Sequence, residues 1–165
     1  MLAIFLKAFL KMQNNLFESF FEAEPCHIKE LYEAEKVCFT ENPWSEGMFA
    51  EALNHPACKI YVLKDMQMTK TLAYGVMYYC EDEADLANIA VLPEIRGQGI
   101  GGKFLDKILD ISREKGVLRV FLEVRESNSV ARGLYLSRGF EEIGKRRKYY
   151  RNPTEDAVIM VREEK

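Results

Sequence analysis

The sequence predicts an α+β fold, a central mixed and mostly antiparallel sheet of about seven strands flanked by about four helices. Three observations carry that expectation. Strand-like runs at 58–65, 70–80 and 85–92 follow one another with only polar turns between them, Met66–Thr69 and Glu81–Ala84, which is the pattern of an antiparallel meander. After Leu92 the chain changes to alternating helix and strand signals. The 165 residues are 48% hydrophobic and 30% charged, with no repeat, low-complexity tract or long Pro/Gly/Ser linker, so one ordinary domain is expected.

The elements follow in order. Residues 16–24 alternate loosely as a first strand. Pro25 opens a helix on which Ile28, Leu31, Tyr32, Glu35 and Phe39 form a stripe. Ser45, after Pro43, caps a second helix running to about Leu53. Beyond the meander, Gln98–Lys115 carries Ile100, Phe104, Leu105, Ile108 and Leu109 at helical spacing, and Gly116 lies just past its end. Val117–Val124 reads as an apolar, β-branched strand. Ser127 or Asn128 caps a last helix that stops at Gly139, and Phe140–Lys145 and Ala157–Val161 close as two strands. The order is βααβββαβαββ, and the strand–helix–strand unit at 85–124 calls for a parallel crossover.

Composition removes several classes of function. A net charge of -3 supplies no global field for a polyphosphate backbone, so nucleic acid is not expected as the main partner. Cys26, Cys38, Cys58 and Cys80 form no C-x-x-C pair, and neither His27 nor His55 stands at zinc-finger spacing. They read as free thiols in a reducing cytoplasm, with no metal site expected. The opening MLAIFLKAFL is too short to span a bilayer and is interrupted by Lys7, so no membrane partner is expected. Residues 1–15 are read as an extension of uncertain status and 16–165 as the domain.

The most informative stretch is the loop Ile95-Arg96-Gly97-Gln98-Gly99-Ile100-Gly101-Gly102-Lys103, set between a strand and a helix. Glycines allow close approach of an anion, and the helix start offers free N–H groups and the positive end of its dipole, so phosphate binding is the physical expectation. Gly97-x-x-x-x-Gly102-Lys103 nearly spells a nucleoside-triphosphate loop, but Phe104 stands where Ser or Thr must hold magnesium. Gly97-x-Gly99-x-x-Gly102 also spells the dinucleotide fingerprint. However, its glycines begin several residues past the strand, and too little chain follows to build a dinucleotide domain.

A third reading, Arg-x-x-Gly-x-Gly as Arg96 to Gly101, resembles the pyrophosphate-binding motif of the GNAT superfamily of acetyl-coenzyme A dependent N-acetyltransferases. Asn88-Ile89-Ala90-Val91, Leu122 to Asn128, Gly133 to Phe140 and Tyr149-Tyr150 match the same family in order. Asn42-Pro43-Trp44-Ser45-Glu46 is similar to the RimI branch, bacterial enzymes that acetylate a ribosomal protein's N-terminal alanine. The resemblance covers roughly residues 16–162 of the chain. It implies acetyl-coenzyme A as co-substrate, a protein N-terminus as acceptor and a cytoplasmic location. The same scaffold would also serve a lysine, a polyamine or another small amine, and a non-catalytic sensor of acetyl-coenzyme A is the reading from another class.

Acetyl transfer to an amine needs a neutral nucleophile, a polarised thioester carbonyl and a proton for the departing thiolate. Glu123 ends the apolar strand LRVFLEV, where a carboxylate has no packing role, and it suits general-base work, directly or through a water. Tyr135 lies about two helical turns after Asn128, so both project from nearly one helix face. The resemblance makes Tyr135 the acid toward coenzyme A sulfur and Asn128 a coenzyme ligand. It likewise assigns the main chain of Ile89, Ala90 and Val91 to the pantetheine arm, and Arg96, Gly97, Gln98, Gly99, Ile100, Gly101 and Gly102 to the diphosphate. Acceptor choice is expected from Trp44, Tyr149, Tyr150 and the acidic turn near Asp82, while Lys145–Lys148 reads as a solvated strand face. Gly102 departs from the family, which usually places Arg or Lys there; Lys103 is the expected replacement.

Overall fold

The computed structural model describes residues 19–164. The expected extension at 1–15 and the start of the expected first strand lie outside the described residues. The elements are β1 (Phe20–Glu22), α1 (Ile28–Cys38), α2 (Glu46–Asn54), β2 (Cys58–Lys64), β3 (Thr71–Cys80), β4 (Glu83–Val91), α3 (Ile100–Glu114), β5 (Arg119–Arg125), α4 (Ser129–Leu136), β6 (Glu141–Tyr150) and β7 (Glu155–Glu163). This is the expected order. The strands form one seven-stranded sheet, β1-β2-β3-β4-β5-β7-β6, antiparallel except where β4 meets β5.

Helix boundaries follow local chemistry. The Ser45 side chain accepts a hydrogen bond from Met48 N at the start of α2, and Asn128 accepts from Ala131 N at the start of α4. Helix α3 begins two residues later than the sequence suggests because Gly97 and Gly99 are left-handed, with φ of 74° and 77°.

Alternation along the strands divides the core between the two faces of the sheet. Ile60, Val62, Tyr74 and Val76 pack with Leu31 of α1 and Phe49 of α2 on one face. Leu63, Met77, Leu86, Leu122 and Val124 pack with Phe104 and Ile108 of α3 and Tyr135 of α4 on the other. Strand β6 is longer than expected and exposed along nearly its whole length, as the outermost strand of the sheet. With no buried face it carries no hydrophobic alternation, so its extent was not legible in the sequence. Its four consecutive basic residues suit an edge that must not pair with another chain.

Candidate active site

The site begins with a defect in the sheet. In the β3–β4 ladder Val76 faces Asn88 but Met77 faces Leu86, so Ala87 is an extra residue, a β-bulge. The bulge flips the alternation. Ala84 and Leu86 face α3, whereas Ala90 packs on the α1–α2 side and Asn88 reaches Glu35 of α1. The parallel pairing of β4 with β5 covers only Glu83–Leu86 against Arg119–Leu122. Beyond it β4 runs on to Val91 and β5 to Arg125 without pairing to each other, and the two strands separate. Ile89, Ala90 and Val91 therefore line one side of a cleft whose other side holds Glu123 and Val124. Backbone groups of β4 that face β5 there have no strand partner on that side and need another polar partner, which Arg96 supplies for Val91 O.

The glycine loop sits at the open end of this cleft. Arg96 does not extend from the loop as a free cation: its Nε donates to Val91 O at 2.8 Å, and Cys38 Sγ approaches the same oxygen at 3.5 Å. Arg96 thus fixes the peptide at the end of β4. A Cβ added at Gly97 or Gly99 would meet no atom within 4 Å, so both glycines border open space, and their positive φ disfavours any other residue. Ile100, Gly101 and Gly102 form the first turn of α3, whose N–H groups have no acceptor within the helix. The cradle fits a diphosphate by donor chemistry and by space. Gln98 is exposed, and its Nε2 donates to Glu94 O at 3.4 Å.

Glu123 and Tyr135 lie on opposite faces of the sheet. Val120, Leu122 and Val124 point into the core beneath α3 and α4, so the Glu123 side chain, by alternation, points the other way. Its carboxylate pairs with Arg146 Nη1 of β6 at 2.8 Å and accepts a hydrogen bond from the Tyr149 hydroxyl, which raises the Tyr149 pKa. Burial and the neighbouring Glu123 and Glu83 charges also push the Asp85 carboxyl up. The Tyr150 hydroxyl donates to Glu123 O at 3.3 Å, and burial pushes its pKa up to about 12. Tyr135 is buried against Phe140, and burial, then the nearby Tyr150, raises its pKa well above the usual phenol value. Its hydroxyl therefore keeps its proton at neutral pH. Asn128 spends its side-chain oxygen on capping α4, which leaves its amide nitrogen as the group available to a ligand.

The third wall comes from the segment between α1 and α2. Trp44 is half-buried against Phe49, and its backbone N–H donates to Oε1 of Glu35 at 2.8 Å. Asn42 Nδ2 donates to Arg151 O at 2.8 Å, tying this segment to the β6–β7 turn beside Tyr149 and Tyr150. Arg125 secures that turn from beneath, with its guanidinium 4.3 Å from the Tyr150 ring centroid and paired to Glu155 at 3.3 Å. Trp44, Tyr149 and Tyr150 are thus brought to one side of the sheet with Glu123. The Asp82 turn is not. It joins β3 to β4 at the end remote from Val91, where its carbonyl accepts from Leu118 N and Arg119 N, so the expectation that it shapes the acceptor site is corrected.

Two residues of the site escaped the sequence reading. Arg146 is one of four adjacent cations, and only the bulged β6–β7 register selects it for Glu123. Glu35 reads as one more member of a helical stripe, yet it is 1% exposed and joins Trp44 to Asn88, which in turn donates to the Tyr74 hydroxyl at 3.2 Å. A charged residue on an otherwise apolar stripe was the available signal.

Comparison with known proteins agrees with this architecture. Residues 28–140 match the model of the Acetyltransferase (GNAT) family. The chain is 38% identical over 142 residues to a [ribosomal protein bS18]-alanine N-acetyltransferase of Haemophilus influenzae, covering 84% of this chain and 94% of that protein. The corresponding Escherichia coli enzyme is 39% identical over 122 residues, 72% of this chain and 79% of its own length. The crystal structure of the ribosomal-protein-S18-alanine N-acetyltransferase from Escherichia coli superposes with a TM-score of 0.80 at 34% identity, covering 87% of this chain and 92% of that one. Ard1 from Thermoplasma volcanium, at 24% identity and a TM-score of 0.76, shares the fold. A split parallel pair closed by a glycine cradle, found in a chain with these relatives, has one reading: the chain is an acetyltransferase of the GNAT family, RimI-like within it.

Proposed function

We propose that the chain transfers acetyl from acetyl-coenzyme A to the α-amine of a protein N-terminus, that of an N-terminal alanine on ribosomal protein bS18. The observation that carries this reading is the near-full-length match to a bS18-alanine N-acetyltransferase, 38% identical over 94% of that protein, in a chain that presents Tyr149 and Tyr150 beside Glu123.

In this reading the N–H groups of Gly97 to Gly102 and the positive end of α3 hold the diphosphate. The main chain of Ile89, Ala90 and Val91, on the side of β4 that faces the cleft, aligns the pantetheine arm, with Asn128 as a further ligand. Acetyl-coenzyme A supplies an activated thioester. Glu123 accepts a proton from the incoming α-ammonium, directly or through a water. That amine has an ordinary pKa of about 7.7–8.0, so only a modest base is required. The Val91 N–H polarises the acetyl carbonyl as the C–N bond forms, and Tyr135 passes its hydroxyl proton to sulfur as the C–S bond breaks. The second proton of the attacking nitrogen leaves to water, from which Tyr135 is reprotonated. Base and acid serve the same cleft from opposite faces, so neither has to move aside for the other. The ion pair of Glu123 with Arg146 and its hydrogen bond from Tyr149 hold the carboxylate where an ammonium group must compete for it.

The test is intact-protein mass spectrometry on recombinant bS18, with the Met-processed alanine terminus free or chemically blocked, after incubation with the protein and acetyl-coenzyme A. A single acetyl on the free terminus supports the reading. Acetylation of lysines in both samples would transfer it to the lysine-directed alternative, and no acetylation of either would remove bS18 as the acceptor.

A further inference from the structure

The first turn of α3 carries a glycine that helix chemistry does not ask for. Gly102 is buried at the third helical position, where glycine disfavours the helix relative to alanine. The space its side chain would fill is taken. A Cβ there would lie 2.0 Å from Arg138 Nη2 and 2.7 Å from its Cζ. Arg138 follows the end of α4, and its guanidinium rests on the Gly102 backbone. Its Nε donates to Asp106 Oδ1 at 3.2 Å, one turn along α3, and its Nη1 to Ser137 Oγ at 2.8 Å.

The position of that charge is informative. A cation is disfavoured beside the N-terminal end of a helix, where the dipole is already positive, and the first turn of α3 contains no acidic residue to offset it. Asp106 balances Arg138 from the second turn, but their side chains are 28% and 50% exposed, and pairs of that kind contribute little to stability. The arrangement therefore does little as a strut. It places a fork of N–H donors beside the free N–H groups of the glycine cradle.

We propose that Arg138 is a phosphate-binding residue of the coenzyme site. Entering from α4 across Gly102, its guanidinium binds a phosphate group of acetyl-coenzyme A together with the amides of the loop, and Gly102 is the residue that makes room for it. The inference rests on the coenzyme reading above and extends it. The charge that the family resemblance puts on position 102 arrives here from a different helix, in place of the compensation by Lys103 that the sequence suggested. Guanidinium is the better group for the task, since it presents paired donors to phosphate oxygens.

The experiment is calorimetric titration of coenzyme A, and of 3′-dephospho-coenzyme A, into the full-length protein and its Arg138→Gln, Arg138→Lys and Asp106→Asn variants. Arg138→Gln is expected to weaken coenzyme A binding about tenfold, as for loss of a charged hydrogen bond. Arg138→Lys should lose less, and Asp106→Asn should bind as tightly as wild type or more so, because it frees the guanidinium. A penalty that vanishes with the dephospho compound puts Arg138 on the 3′-phosphate, and one that persists puts it on the diphosphate; both carry the proposal. A Gly102→Arg/Arg138→Leu double variant, with the charge moved back, should bind more tightly than Arg138→Gln. Equal binding by wild type and Arg138→Gln overturns the proposal, as does equal weakening in Arg138→Gln and Asp106→Asn, which would mark the pair as a strut. Failure of the wild type to bind coenzyme A would instead remove the coenzyme reading itself.

Discussion

Glu123 stands where three chemical environments meet: an apolar strand behind it, the Arg146 guanidinium 2.8 Å away and the Tyr149 hydroxyl. Replacing it with Gln keeps its shape and removes both the ability to take a proton and the charge that pairs with Arg146. Glu123→Gln is expected to lower turnover about 10²-fold, the lower range for general-base catalysis, with coenzyme A affinity unchanged by titration. Unaltered turnover would dismiss Glu123 as the base. Tyr135 is held on the other face in a setting that favours its neutral form, because burial raises its pKa. A raised phenol pKa keeps the acid form filled throughout an assay range ending near pH 10, so Tyr135 should impose no alkaline limb on the rate. Tyr135→Phe should therefore lower the pH–rate profile without changing its shape above neutrality, and loss of an alkaline limb in that variant would contradict the assignment. Both residues stand out in the sequence because each is chemically out of place, a carboxylate in an apolar strand and a phenol at helical spacing from Asn128. Arg146 was not. Its selection depends on strand register, which local sequence does not encode when both faces of the strand are polar.

At the level of elements, the site depends on features that make each element imperfect. Strand β4 contains a bulge at Ala87, and α3 starts among four glycines. The glycines announced themselves in the sequence. The bulge did not, since Ala87-Asn88-Ile89 carries no residue that demands it. Helix α1 contributes a buried carboxylate, Glu35, that joins the Trp44 segment to the strand just past the bulge. Burial raises the Glu35 pKa, so the folded chain holds this proton more tightly than the unfolded chain does. In the window between the ordinary carboxylate value and the raised one, falling pH therefore favours the fold, and that contribution is lost as pH rises through the raised value. Glu35→Gln lacks this term, so the thermal midpoint of wild type relative to the variant should rise as pH is lowered through the raised value toward the ordinary carboxylate value. A difference that stays constant across that range would show that Glu35 does not exchange its proton on unfolding.

For the molecule as a whole, the sheet divides the candidate site residues between its two faces. The α3–α4 face carries the glycine cradle, Asn128 and Tyr135, and the α1–α2 face carries Glu35, Trp44 and the Glu123 carboxylate, with the β4–β5 cleft as the passage between them. Element order and the parallel crossover were legible because periodicity and turn chemistry agree over most of the chain. The convergence of the α1–α2 segment with the β6–β7 turn was not, because it rests on long-range contacts such as Asn42 with Arg151, 109 residues apart. That convergence brings the α1–α2 segment next to Tyr149 and Tyr150, which bond Glu123. The most direct measurement is thiol release from acetyl-coenzyme A with a hexapeptide beginning Ala-Arg, compared with the same peptide carrying a blocked N-terminus. Turnover with the free peptide alone is the expected result. Equal turnover with both peptides, or with neither while coenzyme A still binds, would contradict an α-amine acetyltransferase.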